Sequence, residues 1–314
     1  MDEPKKTATR AAYGEALAEL GKDHDFYVLD ADLTKSTMTI KFKEAFPKRH
    51  FNMGIAEGNM MAVAAGIAST GVPCFASTFA VFAACRGCEQ IRNSICYPNL
   101  NVKIGATHAG ISVGEDGASH QAVEDVAVMR AIPNMHVLQP CDAVSTHWAV
   151  KAALETDGPF YLRLGRLAVE PVYKAGQVFE LGKGVVLKEG FDLTLITSGL
   201  MVQETLKAAG ILKESGIHAR VIDLHTIKPI DEDIIVKAAR ETKGIVTVEE
   251  SNVLGGLGSA VAEVLSQKQP ARLKIIGIED RFGCSGKPAE LLNHYGLSAD
   301  KIAEKVIQYY KELN

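Results

Sequence analysis

The sequence predicts an α/β protein of two consecutive domains, each a mostly parallel sheet flanked by helices, on three observations. Short apolar runs bounded by turn residues alternate with longer runs of helical periodicity, the pattern of strand–helix–strand units. The 314 residues exceed one average domain. The alternation breaks once, across a mixed stretch from about Leu167 to Glu189, and then restarts.

In the first domain, 1–170, the strand-like runs are Phe26–Asp30, Val72–Ser77, Val102–Thr107, His136–Gln139 and Phe160–Leu164. Helical periodicity covers Ala8–Leu20, Glu57–Ser69, Ala80–Ile95, Ala122–Arg130 and Ala143–Glu155. Parallel sheets of this kind bind ligands at the carboxyl ends of their strands. Pro171, Gly176, Gly182 and Gly184 mark the break as a linker. In the second domain, 185–314, strands are expected at Leu193–Thr197, Ala219–Leu224, Ile245–Glu249 and Leu273–Ile278. Helices are expected over Met201–Ser215, Asp231–Glu241, Gly256–Gln267 and Asp300–Lys311.

Composition narrows the function class. Hydrophobic residues make up 47% and charged residues 23%, the profile of a globular protein with a large core. Net charge is −4 and the basic residues are scattered, so nothing favours a nucleic-acid partner. The segment Met1–Lys6 lacks the apolar core of a signal peptide, and the most apolar stretch, Met60 to Ala84, is broken by Gly66, Gly71 and Pro73. No membrane association and a cytoplasmic location are therefore expected. Six cysteines then read as free thiols. Cys85 and Cys88 form a Cys-x-x-Cys, but without a second pair they read as core thiols on one helical face. No residue set has metal-site spacing, so no metal ligand is assigned to this chain.

Four segments carry chemistry. Glu57 opens a helix that is otherwise small and apolar, where a carboxylate either complements the helix dipole or serves as an acid/base. Ala64, Ala65 and Gly66 predict tight packing of that helix. The loop Thr107–Gln121 places His108, His120, Glu115, Asp116 and three glycines after a strand; it is either a solvated turn or a binding loop. Phe79 and Phe82, three apart, form either core or a stacking wall for a flat ring. Asp30 or Asp32 caps the next element or faces a ligand. The Gly255-Gly256-Leu257-Gly258 run reads as a close-packed helix start, since the preceding Glu249-Glu250 would repel a pyrophosphate.

Taken together and in this order, these segments resemble the transketolase family: Gly54-Ile-Ala-Glu57, Thr78-Phe79 with Phe82, and Gly114-Glu-Asp-Gly-Ala-Ser-His-Gln121 match its pyrimidine-binding domain. Asp223–Ile230, Glu249-Glu250 and Gly255-Gly256 extend the resemblance through a C-terminal domain. The resemblance implies a thiamine diphosphate and Mg²⁺ enzyme that moves a two-carbon ketol unit from a ketose phosphate to an aldose phosphate. It makes Glu57 and His120 catalytic, with Glu57 hydrogen-bonded to the aminopyrimidine so that a ring nitrogen can take the thiamine C2 proton. Phe79 and Phe82 become the wall around that ring, and Asp32 a carboxylate near the cofactor and a dimer contact. His120 and Asp116 would contact sugar hydroxyls, and His108 and Arg166 the sugar phosphate. Cys85 falls where some members place a tyrosine, which weakens that contact.

The resemblance also exposes a gap. Such enzymes hold Mg²⁺ and the diphosphate on a Gly-Asp-Gly segment with a later Asn, and no Gly-Asp-Gly occurs here. This implies a partner, the N-terminal transketolase subunit, that supplies the metal and diphosphate site, and self-association into a heterotetramer. The rival readings are the β subunit of a 2-oxo acid dehydrogenase, a deoxyxylulose-phosphate-synthase-like enzyme, and a non-catalytic regulatory subunit.

Overall fold

A computed structural model describes residues 6–313. Two sheets organise them. The larger has seven strands in the order Thr226–Lys228, His136–Leu138, Phe160–Arg163, Val102–Thr107, Cys74–Phe79, Tyr27–Asp30, His50–Asn52. All neighbours in it are parallel except Thr226–Lys228. The smaller has the order Leu273–Ile278, Ile245–Asn252, Leu193–Thr197, Ala219–Asp223, Val185–Lys188, parallel except for the last strand. A two-stranded pair, Thr7–Ala8 with Ala168–Val169, closes the first domain near its ends. No helix among the described residues is long and apolar enough to cross a membrane.

The physical reason for the central strands is plain. Cys74–Phe79, Val102–Thr107 and Phe160–Arg163 are buried at every position. Strands covered on both faces read as continuous apolar runs, and such runs pair in parallel under helices. The closing helix Ala299–Leu313 buries Ile302, Ala303, Val306 and Tyr309 along one side, the stripe of an amphipathic surface helix.

Several elements differ from expectation. The expected helix Ala80–Ile95 is broken into Ala80–Cys85, Cys88–Gln90 and a π-helical turn over Ile91–Cys96. Gly87 sits at the break, where a Cβ would lie 3.1 Å from the Ala83 carbonyl oxygen. Because of the break Cys85 is exposed and Cys88 half-buried, so this pair is not part of the core. Gly66 faces open space and contributes no close packing, whereas Ala64 and Ala65 are buried as expected. Short strands at His50–Asn52, Val185–Lys188 and Thr226–Lys228 carry too few residues to show a period. Thr226–Lys228 leaves the second segment to edge the first sheet, and Pro229, with no N–H, ends it there.

The two sheets meet along a buried seam. Asp125 takes two hydrogen bonds from Arg163, Nε to Oδ2 at 2.8 Å and Nη2 to Oδ1 at 3.0 Å, and one from the Tyr161 hydroxyl at 2.8 Å. Arg163 Nη2 also donates to the Glu250 carbonyl oxygen at 3.1 Å, and Asn252 N donates to the Val123 carbonyl oxygen at 2.7 Å. One guanidinium thereby ties the first sheet to a strand of the second.

Candidate active site

The carboxyl ends of the first sheet gather the chemistry. Phe79 is the last residue of its strand, pairs in register with Thr107, and is followed by the helix that carries Phe82. Their rings stack at 5.7 Å with an 11° interplanar angle. His108, one residue past its strand, stacks on Phe79 at 3.8 Å. His120 stands edge-on to both phenylalanines, at 6.1 Å from Phe79 and 5.4 Å from Phe82. Glu57 opens the helix Glu57–Ala68 and is 3% exposed. Five of the expected residues therefore form one cluster, because adjacent parallel strands deliver their ends to one edge.

The Glu57 carboxylate has one cationic partner. Arg86 Nη1 donates to Glu57 Oε1 at 3.1 Å, and the Arg86 guanidinium lies 4.2 Å over the Phe82 ring. A planar cation with its face on an aromatic ring and an N–H edge on a carboxylate occupies this corner.

The His108–Gln121 loop is shaped by its glycines. Gly110, Gly114 and Gly117 all have positive φ, at 78°, 89° and 76°. His108 shares that region at 57°, as does Asp32 at 61°, uncommon values for residues with a side chain. His108 Nδ1 is 2.9 Å from the Thr107 hydroxyl. Burial, reinforced by Arg10, Arg166 and His120, pushes its imidazole down to about 3, so it is a neutral group. Arg166 Nη1 donates to the Val113 carbonyl oxygen and lies 3.6 Å from Asp116 Oδ2 and 3.8 Å from Glu115 Oε2. Asp116 and Arg166 thus face each other on the rim of the cluster.

Asp32 is exposed, its hydrogen bonds running to Asn52 and not to Glu57. The capping carboxylate at that strand end is Asp30, which is buried and accepts from Leu33 N, Thr37 Oγ1 and Thr39 Oγ1 at 2.6, 2.6 and 3.0 Å. In the second domain, Glu249 closes the glycine-rich helix start by accepting from Leu257 N at 2.7 Å and Gly258 N at 2.8 Å. The anion position of that helix belongs to the chain's own carboxylate. Among the described residues no group of three or more His, Cys, Asp or Glu side chains is placed to hold a metal ion.

Residues 5–171 match the transketolase pyrimidine-binding domain, and residues 182–302 match the transketolase C-terminal domain. The chain belongs to the transketolase family. A Methanocaldococcus jannaschii protein named for a transketolase C-terminal section is 51% identical over 307 residues, 96% of each chain. A 6-deoxy-6-sulfo-D-fructose transketolase subunit of Clostridium sp. (strain MSTE9) is 40% identical over 93% of this chain and 91% of its own length. Among solved structures, a split gene transketolase described as an inactive beta4 tetramer superposes with a TM-score of 0.89 at 52% identity, covering 98% of this chain and 99% of that one. Thiamine-diphosphate-dependent ketol transfer is the general reaction of the transketolase family.

Three residues of this cluster have contacts that the sequence alone does not announce. Arg86 had a signal, since it stands one helical turn beyond Phe82 and shares its face. Arg10 acts on His108 together with Arg166, adding a second guanidinium at the phosphate end of the expected sugar site. Glu250 reaches the loop from the other domain, a contact no local pattern announces.

Proposed function

We propose that this chain is the C-terminal subunit of a split transketolase that moves a two-carbon ketol unit from a ketose phosphate to an aldose phosphate, in the pentose phosphate pathway of the cytoplasm. The observation that carries the proposal is the buried Glu57 carboxylate beside the stacked Phe79–Phe82 wall, with the two loop histidines against the same rings. The corner fits the pyrimidine end of thiamine diphosphate, because Arg86 already presents there the flat, N–H-edged shape of an aminopyrimidine. Among the described residues no three metal-ligating side chains come together, and the proposed N-terminal subunit carries the Mg²⁺ and diphosphate site, two such pairs making a heterotetramer.

When bound, thiamine diphosphate supplies the carbon nucleophile of the reaction. This chain's residues do the rest of the work proposed here. Glu57, buried at the start of its helix, would hydrogen-bond a nitrogen of the pyrimidine ring. Phe79 and Phe82 hold the ring by its face. His120, edge-on to both, orients sugar hydroxyls and moves protons, and Asp116 binds a hydroxyl from the rim. His108, neutral, donates an N–H to the sugar phosphate while Arg166 supplies the charge. Asp32 stands near the cofactor and a subunit contact. The domain division at 1–170 and 185–314 belongs to the same proposal.

The test is reconstitution. The purified chain, the diphosphate-binding subunit, thiamine diphosphate and Mg²⁺ are given xylulose 5-phosphate and ribose 5-phosphate. Formation of sedoheptulose 7-phosphate is expected, and Glu57→Gln is expected to abolish it with the fold intact by circular dichroism. Turnover of pyruvate in its place would make the chain a 2-oxo acid dehydrogenase β subunit. The Clostridium relative makes 6-deoxy-6-sulfo-D-fructose the second donor to try.

A further inference from the structure

We infer that Glu250, from the C-terminal domain, is a positioning residue for the sugar-binding loop, holding the Ser112 N–H and so fixing where His108 and His120 stand. The contact crosses the domain seam: Ser112 N donates to Glu250 Oε1 at 2.5 Å. Both residues are buried. Ser112 lies in the single turn Ile111–Val113, on the loop between the two histidines and four residues after His108.

The loop is built around this carboxylate. Gly110 has φ of 78°, and a Cβ there would lie 2.4 Å from Glu250 Cδ. Only glycine at this position leaves room for the carboxylate to reach the next turn. Glu250 is itself fixed through its carbonyl oxygen, which accepts from Arg163, and Arg163 is locked by Asp125. The far side of the loop is held separately. Gln121 Nε2 donates to the carbonyl oxygens of Ile111, Gly114 and Cys284 at 3.1, 3.2 and 2.9 Å, the last again in the C-terminal domain. Both attachments run to the second domain, as does a third, in which Ser285 Oγ donates to the Glu115 carbonyl oxygen at 2.7 Å, and the Glu250 one alone of the three uses a carboxyl side chain.

Ionising that carboxyl is costly where it sits. Burial pushes the Glu250 carboxyl up to about 7, and Arg163 and the Ser112 hydrogen bond oppose the rise only in part. Its acceptor oxygen on the Ser112 N–H, ionised or not, holds the turn against sugar binding and release.

The test uses Glu250→Ala and Glu250→Gln, first in the chain alone and then in the complex with the diphosphate-binding subunit. In the chain alone, hydrogen exchange of the 108–121 segment is expected to quicken about tenfold in Glu250→Ala, with the Leu193–Thr197 strand unchanged. Glu250→Gln, which keeps an acceptor oxygen, is expected to stay within about threefold of wild type. In the complex, KM for the sugar phosphates is expected to rise about tenfold in Glu250→Ala with kcat less affected, and Glu250→Gln to restore most of it. The sugar roles of the loop rest on the function proposed above. Faster exchange in Glu250→Ala, together with a wild-type complex that transfers no ketol unit, would keep the positioning role and remove that function. Unchanged exchange in Glu250→Ala, or equal KM losses in both variants, would overturn the inference. Should Glu250→Ala fail to fold, Ser112→Pro deletes the same hydrogen bond from the loop side and faces the same measurements.

Discussion

Arg86 Nη1 lies 3.1 Å from Glu57 Oε1 while its guanidinium covers the Phe82 ring at 4.2 Å. Arg86 therefore makes both contacts proposed for the pyrimidine ring of the cofactor, one to the carboxylate and one to the aromatic face. On the proposed placement, cofactor and Arg86 would compete for one corner, and loading would require the arginine to swing out. Its side chain is 52% exposed, so the way to solvent is open.

Arg86→Ala is expected to tighten thiamine diphosphate binding in the reconstituted complex. A half-exposed ion pair and an exposed cation–π contact together amount to about 1 kcal/mol after solvent screening. That corresponds to about fivefold in Kd. Calorimetric titration of the complex with thiamine diphosphate measures it. Weaker binding in the variant would make Arg86 a ligand of the cofactor instead of its competitor.

His108 gives a pH prediction. Burial foremost, then Arg10, Arg166 and His120, holds its imidazole at about 3, below the ordinary 6.5. A depressed folded value means stability present above pH 6.5 and lost as pH falls from there toward 3. It also means that His108 does not change charge between pH 5 and 8. His108→Asn, with a neutral donor in place of the ring, is expected to lower kcat/KM about tenfold, the cost of one weakened hydrogen bond to a charged group. The shape of the pH–rate profile over that range is expected to stay the same. An acid limb present in wild type and missing in the variant would show that His108 titrates in the working enzyme.

Much of this arrangement is legible in the sequence, for a physical reason. Phe79 and His108 stand where an apolar run stops and turn residues begin, so period and punctuation place them at a strand end, and the apolar run after Glu57 marks it as a helix start. What stays hidden depends on distant chain. Glu249 and Glu250 are neighbours on one strand and point to opposite sides. In sequence they read as one repulsive doublet, yet Glu249 turns to its own domain's helix start and Glu250 crosses to Ser112. Asp32, equally acidic and equally placed, could not be told from Asp30 until the Thr37 and Thr39 hydroxyls were seen on Asp30. The Thr226–Lys228 strand is invisible for another reason, since its partner strand lies in the other domain.

Asp125→Ala is expected to destabilise the chain by about 3–5 kcal/mol, because it leaves a buried guanidinium without its counter-charge. Arg163 and Asp125 are both essentially inaccessible, and their contact is bidentate. Urea unfolding followed by circular dichroism measures the loss. A value under about 1 kcal/mol would mean that Glu250 and Ala122, whose carbonyl oxygens Arg163 also reaches, satisfy the guanidinium unaided.

Asp223 makes the last prediction, a stability that falls as pH rises. Its carboxyl is buried, which pushes it up to about 7; the Tyr173 hydroxyl, donating to Oδ2 at 2.7 Å, and Cys141 oppose the rise, and Asp142 adds to it. Oδ1 has no hydrogen-bond partner. With the folded value raised above the ordinary 3.8, the folded chain holds a proton that the unfolded chain has released. The contribution is fully present below pH 3.8 and is lost as pH rises through 7. Asn at this position carries no charge at any pH and keeps an acceptor for Tyr173. Asp223→Asn is therefore expected to gain on wild type steadily from pH 4 to pH 7.5, by an amount on the order of 4 kcal/mol. Thermal unfolding of both proteins across that range reads the difference directly. A constant gap would mean that Asp223 ionises alike in the folded and unfolded chains, its carboxylate charged in both above pH 4.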